Sequence, residues 1–131
     1  MTYITNILKK TEENTNFRTV LFTGEKSQLV VMDIPAGGEI GKEKHPHVEQ
    51  TIFILSGTAK VTLDGKETEM GAGDVVVVTP GVKHNLINTG TDSLKIYTIY
   101  APANHIDGRV HATKEDADAD AADEKFGESV S

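Results

Sequence analysis

The stretch KEKHPHVEQTIFILSG, from Lys42 to Gly57, sets His45 and His47 two residues apart, with Glu43, Glu49 and Gln50 around them, just ahead of an apolar run. The chain has five histidines and no cysteine, which excludes thiolate ligands and with them zinc-ribbon and iron–sulfur chemistry. Any metal must then be held by nitrogen and oxygen, and this cluster offers both. Residues two apart on a strand point to one side, so Glu43, His45 and His47 would project together from an unbroken strand. Pro46 removes a ladder donor and favours a bend. A bend after His45 would return Gln50, of opposite parity, to the same site. Taken alone, the cluster also fits a surface His-Pro-His turn that binds nothing.

A second stretch, GDVVVVTPGVKHNLIN from Gly73 to Asn88, runs through a glycine turn, an apolar strand and a tight turn to His84. The two stretches together resemble the paired motifs of the cupin superfamily. In the second, Gly73, Gly81, His84 and Asn88 fall where that family has them, with Thr79 in its proline position and Pro80 just after. In the first, counting back from Gly57 places Gln50 where the family has its glutamate. The same count puts His45 in the second histidine's place and Glu43 in the first's. The resemblance therefore implies Glu43, His45, Gln50 and His84 as ligands, with His47 as an extra or alternative one. A second register takes His45 and His47 as the pair and Glu49 as the acid, out of step with Gly57. The segment between Gly57 and Gly73 is short, as in compact single-domain cupins, many of them labelled mannose-6-phosphate-isomerase-like.

The resemblance spans roughly Gln28 to Tyr100. It implies an all-β fold, a double-stranded β-helix or jelly-roll barrel, holding a divalent ion: Zn, Fe, Mn, Co or Ni. Gln50 in a carboxylate's place leaves that ion with less compensating charge, which weakens its binding. Cupins include isomerases, lyases, dioxygenases and non-catalytic binders, so the fold does not fix a reaction. Metal-assisted chemistry on a small polar molecule is the leading expectation, with Glu49 and His47 as candidates for a general base. The rivals are a small-ligand or metal-binding module without turnover, and a barrel with a vestigial site.

The elements needed to position these groups are legible. β-Branched and aromatic runs predict strands over 18–22, 28–34, 50–56, 58–63, 66–70, 75–79, 84–88 and 93–100. Asp64-Gly65 predicts a two-residue hairpin turn. No segment before Thr113 carries a sustained helical period. Val75–Val78 has no polar face and QLVVMDI little alternation, so both sides of these strands are expected to be buried, the outer one by a second layer or by the partner in a homodimer. Tyr97 and Tyr100 fall on opposite faces of the last strand. Residues 1–112 read as one cupin barrel domain and 113–131 as an acidic helix or tail. Thr113 and Asp116 predict one short helix start, followed by a frayed end. The last eighteen residues carry seven acids and two bases, so −5 of the formal net charge of −7 sits there. An acidic chain argues against nucleic acid as a partner. Without an apolar run of membrane length or a signal pattern, the cytoplasm is the expected location. His105 and His111 match no compact metal motif and read as surface or loop-packing residues, or as a wall over the barrel mouth.

Overall fold

The computed structural model describes residues 2–130. Helix α1 (Ile7–Glu13) precedes nine strands: β1 (Arg18–Thr23), β2 (Gln28–Ile34), β3 (Glu49–Ser56), β4 (Thr58–Leu63), β5 (Lys66–Gly71), β6 (Val75–Val78), β7 (His84–Asn88), β8 (Leu94–Ala101) and β9 (Val110–His111). Two helices follow, α2 (Lys114–Ala119) and α3 (Ala121–Val130). The strands form a six-stranded sheet in the order β6-β3-β8-β2-β1-β9 and a three-stranded sheet in the order β5-β4-β7, with every pairing antiparallel. This is the jelly-roll expected from the motifs.

The period of two decides what each strand gives the interior. In β8, Leu94, Ile96, Thr98 and Tyr100 are buried, while Lys95, Tyr97, Ile99 and Ala101 face outward and are only partly covered. In β3, Gln50, Ile52 and Ile54 point inward, and their register sets Gln50 opposite Tyr100 and Ile52 opposite Thr98. The core between the sheets is aliphatic, built from Val30, Met32, Ile34, Ile52, Ile54, Leu86, Leu94 and Ile96 among others. Among its polar neighbours, Gln50 lies between Thr98 and His84 at the start of β7, and Asn88 is buried at that strand's other end. The Asp64-Gly65 turn is as expected: both residues have positive φ, 47° and 85°, as a tight hairpin matching the strand twist requires.

Three expectations need correction. Residues 7–13 are helical although no apolar period marks them. The helix is held by its ends, since Asn6 Oδ1 accepts from Lys9 N and Lys95 Nζ donates to the carbonyls of Glu12 and Asn14. It lies on the outer face of β2, β3 and β8, which explains how part of that face is covered without a second subunit. Next, β6 is not buried on both sides within one chain. Val76 and Val78 turn inward, but Val75 and Val77 are 51% and 52% exposed. β6 is the edge strand of its sheet, and α1 covers strands β2, β3 and β8 instead. Finally, the acidic end is two helices and does not fray before Val130. Thr113 does cap α2, accepting from Asp116 N at 3.1 Å.

What docks the C-terminal helices is a polar clamp. Asp120 Oδ1 caps α3 by accepting from Asp123 N, while Arg109 Nε and His111 Nε2 both donate to Asp120 Oδ2 at 2.9 Å. Buried Asp123 accepts from His105 Nδ1 at 2.8 Å and from Ile106 N at 2.7 Å. The hydrogen bond from His111, helped by the Asp123 amide and Arg109, holds the Asp120 carboxyl down at about 2. Burial would raise the Asp123 carboxyl, but the bonds from His105 and Ile106 outweigh it and the net shift is downward. Burial lowers His105, against the pull of Asp123.

All three shifts mean that the unfolded chain binds more protons on acidification, so stability falls with falling pH. The His105 part is complete above its unfolded value near 6.5 and is lost as pH falls below it. The Asp120 part is complete above its unfolded value near 3.8 and is lost as pH falls through about 2. Melting temperature between pH 8 and about 2 should therefore decline in two stages, and Asp120→Asn should flatten the lower one. Asp123→Ala, which strands the buried His105 donor and the partly buried Ile106 amide, should cost about 2–3 kcal/mol in denaturant unfolding.

Candidate metal centre

The segment after β2 runs antiparallel beside β7 without forming a full strand. Ile40 N donates to Leu86 O at 2.9 Å, and Glu43 and His84 exchange both backbone hydrogen bonds at 2.8 Å. That exchange seats the Glu43 side chain next to His84. Two residues on, His45 O accepts from Gly81 N at 2.8 Å, which ties the segment to the turn before β7. Gly81 makes that turn at φ 86°, a conformation that costs a side-chain-bearing residue. The chain then bends at Pro46 and His47 and enters β3, whose second residue is Gln50. The six-stranded sheet thus presents Gln50 across the barrel to His84 of the three-stranded sheet.

Glu43, His45 and His84 each place one ligand atom within 4.8 Å of the others. His45 Nε2 is 3.1 Å from Glu43 Oε2, and His84 Nε2 is 3.8 Å from the same oxygen. The two imidazoles lie 5.4 Å apart between centroids. Burial would raise the Glu43 carboxyl, but the hydrogen bond and charge of His45, with Arg18 and His84 behind, lower it, so it is a carboxylate at neutral pH.

Proton accounting at His84 and Gln50 is the most informative feature. His84 Nδ1 is 3.0 Å from the carbonyl of Val82, which can only accept, so Nδ1 carries a hydrogen. Thr98 Oγ1 donates to Thr51 O at 2.8 Å and so accepts from Gln50 Nε2 at 3.2 Å. That fixes the amide and turns Gln50 Oε1 toward His84 Nε2, 3.2 Å away. Two buried lone-pair atoms face each other, with a carboxylate oxygen close by. A cation between them would satisfy both atoms. Imidazole nitrogen, carboxylate oxygen and amide oxygen fit a borderline divalent ion.

Of the other sequence candidates, His47 and Glu49 are exposed and belong neither to this group nor to the wall of the adjoining cavity. Asn88 is structural: its amide nitrogen donates to Ile34 O and Asp92 O, and its oxygen accepts from Gly90 N. Tyr100 is buried between His45 and His105, whereas Tyr97 lies outside, stacked on Phe53 at 4.7 Å. His105 and His111 are loop-packing residues, both buried, and His105 also borders the cavity. His111, Asp120 and Asp123 form a second group within ligand distance, but its oxygens already take hydrogen bonds from Arg109, His111, His105 and two backbone amides.

The cavity, of about 520 Å³, lies between this end of the barrel and the C-terminal helices, and Arg18, Glu43, His45 and His105 are in its wall. Sequence reading missed Arg18. Its signal was parity: Arg18 shares the inward face of β1 with Val20, a position where a charge is costly.

Residues 30–100 match the family model described as Cupin domain. The uncharacterized protein YrkC of Bacillus subtilis is 40% identical over 121 residues, which are 88% of this chain and 65% of that protein. An oxalate-binding protein of Thermotoga maritima is 31% identical over 68 residues, 52% of this chain and 56% of its own length. The crystal structure of BH2720 from Bacillus halodurans superposes with a TM-score of 0.88 at 36% identity, covering 89% of this chain and 93% of that one. This chain thus spans just under two thirds of the YrkC relative. Motif spacing, jelly-roll topology and family match agree, and the chain belongs to the cupin family.

Proposed function

We propose that the chain holds one divalent metal ion through Glu43, His45, Gln50 and His84 and presents it to a small polar molecule entering from the adjoining cavity. The observation that carries this reading is the facing pair of lone-pair atoms, His84 Nε2 and Gln50 Oε1, at 3.2 Å. A bound ion of this kind supplies Lewis-acid polarisation of a chelating oxygen pair. The chain's own part is to orient and exclude. Val82 O fixes the His84 tautomer, Thr98 fixes the Gln50 amide, and Tyr100 and the aliphatic core close the inner side to water. His45 would trade the hydrogen bond between its Nε2 and Glu43 for the ion.

Isomerase, lyase or dioxygenase chemistry fits such a site. A binder without turnover is the second reading, favoured by one observation: the acid–base candidates His47 and Glu49 are exposed and outside the cavity wall. The Thermotoga relative, whose name says that it binds oxalate, also fits this second reading. Metal analysis of protein purified without added metal, with oxygen-uptake screening, separates them. Iron with substrate-dependent oxygen uptake supports an oxygenase. Zinc, manganese, cobalt or nickel without uptake supports an isomerase, lyase or binder, and a metal-free protein that takes up none of these ions refutes the proposal.

The proposed assembly is a homodimer through the outer face of the six-stranded sheet. Val75 and Val77 are half exposed there beside the stacked Phe53 and Tyr97, and apolar patches of this kind mark association surfaces. Light scattering should give about twice the 14.1 kDa chain mass, and Val77→Lys should return it to one. A wild-type mass of one chain across a wide concentration range would contradict the dimer.

A further inference from the structure

The cavity beside the candidate metal centre has two walls of different make. Ile40, Glu43 and His45 belong to the barrel, whereas Ala117, Asp123 and Gly127 belong to α2 and α3. What covers the cavity is thus the helical pair.

The pair is held on the barrel by polar bonds. Arg109 Nε and His111 Nε2 donate to Asp120, and His105 Nδ1 and Ile106 N donate to Asp123. All four donors lie on the barrel side, before Thr113, and both acceptors lie on the helical side. Among the described residues, Ala117 and Val130 are the only side chains of the pair that pack on the barrel core, and both are just partly buried. Apolar burial resists opening, whereas polar bonds exchange for bonds to water at a smaller net cost. Segments held in this way open locally before a core does.

The seat is close all the same. A Cβ at Gly127 would lie 3.1 Å from the Asn104 carbonyl oxygen, so α3 rests bare backbone on the loop after β8. Glycine weakens a helix interior, and here it permits that approach. The link from β9 to α2 is Ala112 and Thr113, both exposed, and β9 is tied to β1 through Val110 and His111.

We propose that α2 and α3 are a lid over the metal-side cavity, hinged at Ala112 and Thr113, latched by Asp120 and Asp123, and opening while the barrel stays folded. The open lid gives small molecules and ions a way to Glu43 and His45, and the closed lid shields them from bulk water. The inference goes beyond the metal reading and rests on it only for what the lid admits.

The test needs no ion. The chain has no cysteine, so an introduced thiol is a unique reporter. Ile40→Cys places it in the buried barrel wall of the cavity. The wild-type latch carries its own reporter, the Ile106 amide, whose hydrogen goes to Asp123 Oδ1 at 2.7 Å. Alkylation of the thiol by iodoacetamide and hydrogen exchange of the amides are followed in urea below the unfolding transition. The thiol, the Ile106 amide and the amides of α3, a short helix that loses its support on undocking, should share one opening equilibrium. That equilibrium should lie about tenfold or more above the opening of the β2 and β8 amides, with a much smaller urea dependence. Asp123→Ala, made in Ile40→Cys, should speed alkylation by about thirtyfold, and Asp120→Ala should act in the same direction.

The lid is overturned if these reporters open only together with β2 and β8, at the urea slope of global unfolding. It is overturned too if the Ile106 amide exchanges while the thiol stays protected, or if the latch variants are alkylated no faster than their parent. The wild-type comparison of Ile106 and α3 with β2 and β8 decides the matter even if the variants fail to fold. A protein that binds no metal would leave these expectations unchanged and would sink the metal reading alone.

Discussion

Glu43→Ala should cost more metal affinity than any other carboxylate substitution in the segment from Lys42 to Gly57, while Glu49→Ala and His47→Ala should change it little. Glu43 is locked beside His84 by their reciprocal backbone bonds, with its carboxylate 3.1 Å from His45 Nε2 and 3.8 Å from His84 Nε2. His47 sits on the bend after Pro46, and Glu49 points out of β3. Loss of a direct anionic ligand should exceed the roughly 10–100-fold penalty typical of outer partners. Gln50→Glu should shift affinity the other way. The added carboxylate would face Glu43 and would lose the bond to Thr98 Oγ1, which raises the energy of the ion-free protein. The loaded form gains an anionic oxygen instead of a neutral one, so both changes tighten binding. Competition against a chromogenic chelator measures the series. Indispensable His47 and Glu49, with a silent Glu43, would mean that the chain uses the other register.

His84→Ala should abolish stoichiometric metal while leaving a folded barrel. It supplies a ligand in either register, and it is the sole one proposed from the three-stranded sheet. Its main-chain bridge to Glu43 survives the substitution, as does the aliphatic core. The side chain's structural role is one bond to Val82 O, worth about 1 kcal/mol. Elemental analysis should fall from near one ion per chain to near zero, with far-ultraviolet circular dichroism unchanged. Retained stoichiometry would remove His84 from the site.

Much of this was readable in the chain because the strands alternate so regularly. Gln28–Ile34, Thr58–Leu63 and His84–Asn88 begin and end where their β-branched runs do, and Asp64-Gly65 sets the hairpin register. The candidate site was readable through the glycines at 57, 73 and 81, which space the motifs. What escaped depends on contacts between distant residues. Residues 7–13 show no apolar stripe, and so short a helix is held by Asn6 at its start, by Lys95 from far along the chain and by packing on the sheet. The docking of α3 rests on Asp123 meeting His105, a long-range pairing that reads locally as one more acid in a solvated run. The open face of β6 likewise follows from its place at the sheet edge, where α1 does not reach. Arg18 was visible only as a charge of inward parity.

The central claim is tested most directly by anomalous diffraction from crystals of the wild-type protein equilibrated with manganese or zinc. The account predicts one strong peak per chain, within coordination distance of His84 Nε2, His45 Nε2, Gln50 Oε1 and a Glu43 oxygen. A peak bound through His47 and Glu49, one at His111, Asp120 and Asp123 alone, or no ordered ion in the barrel would contradict it.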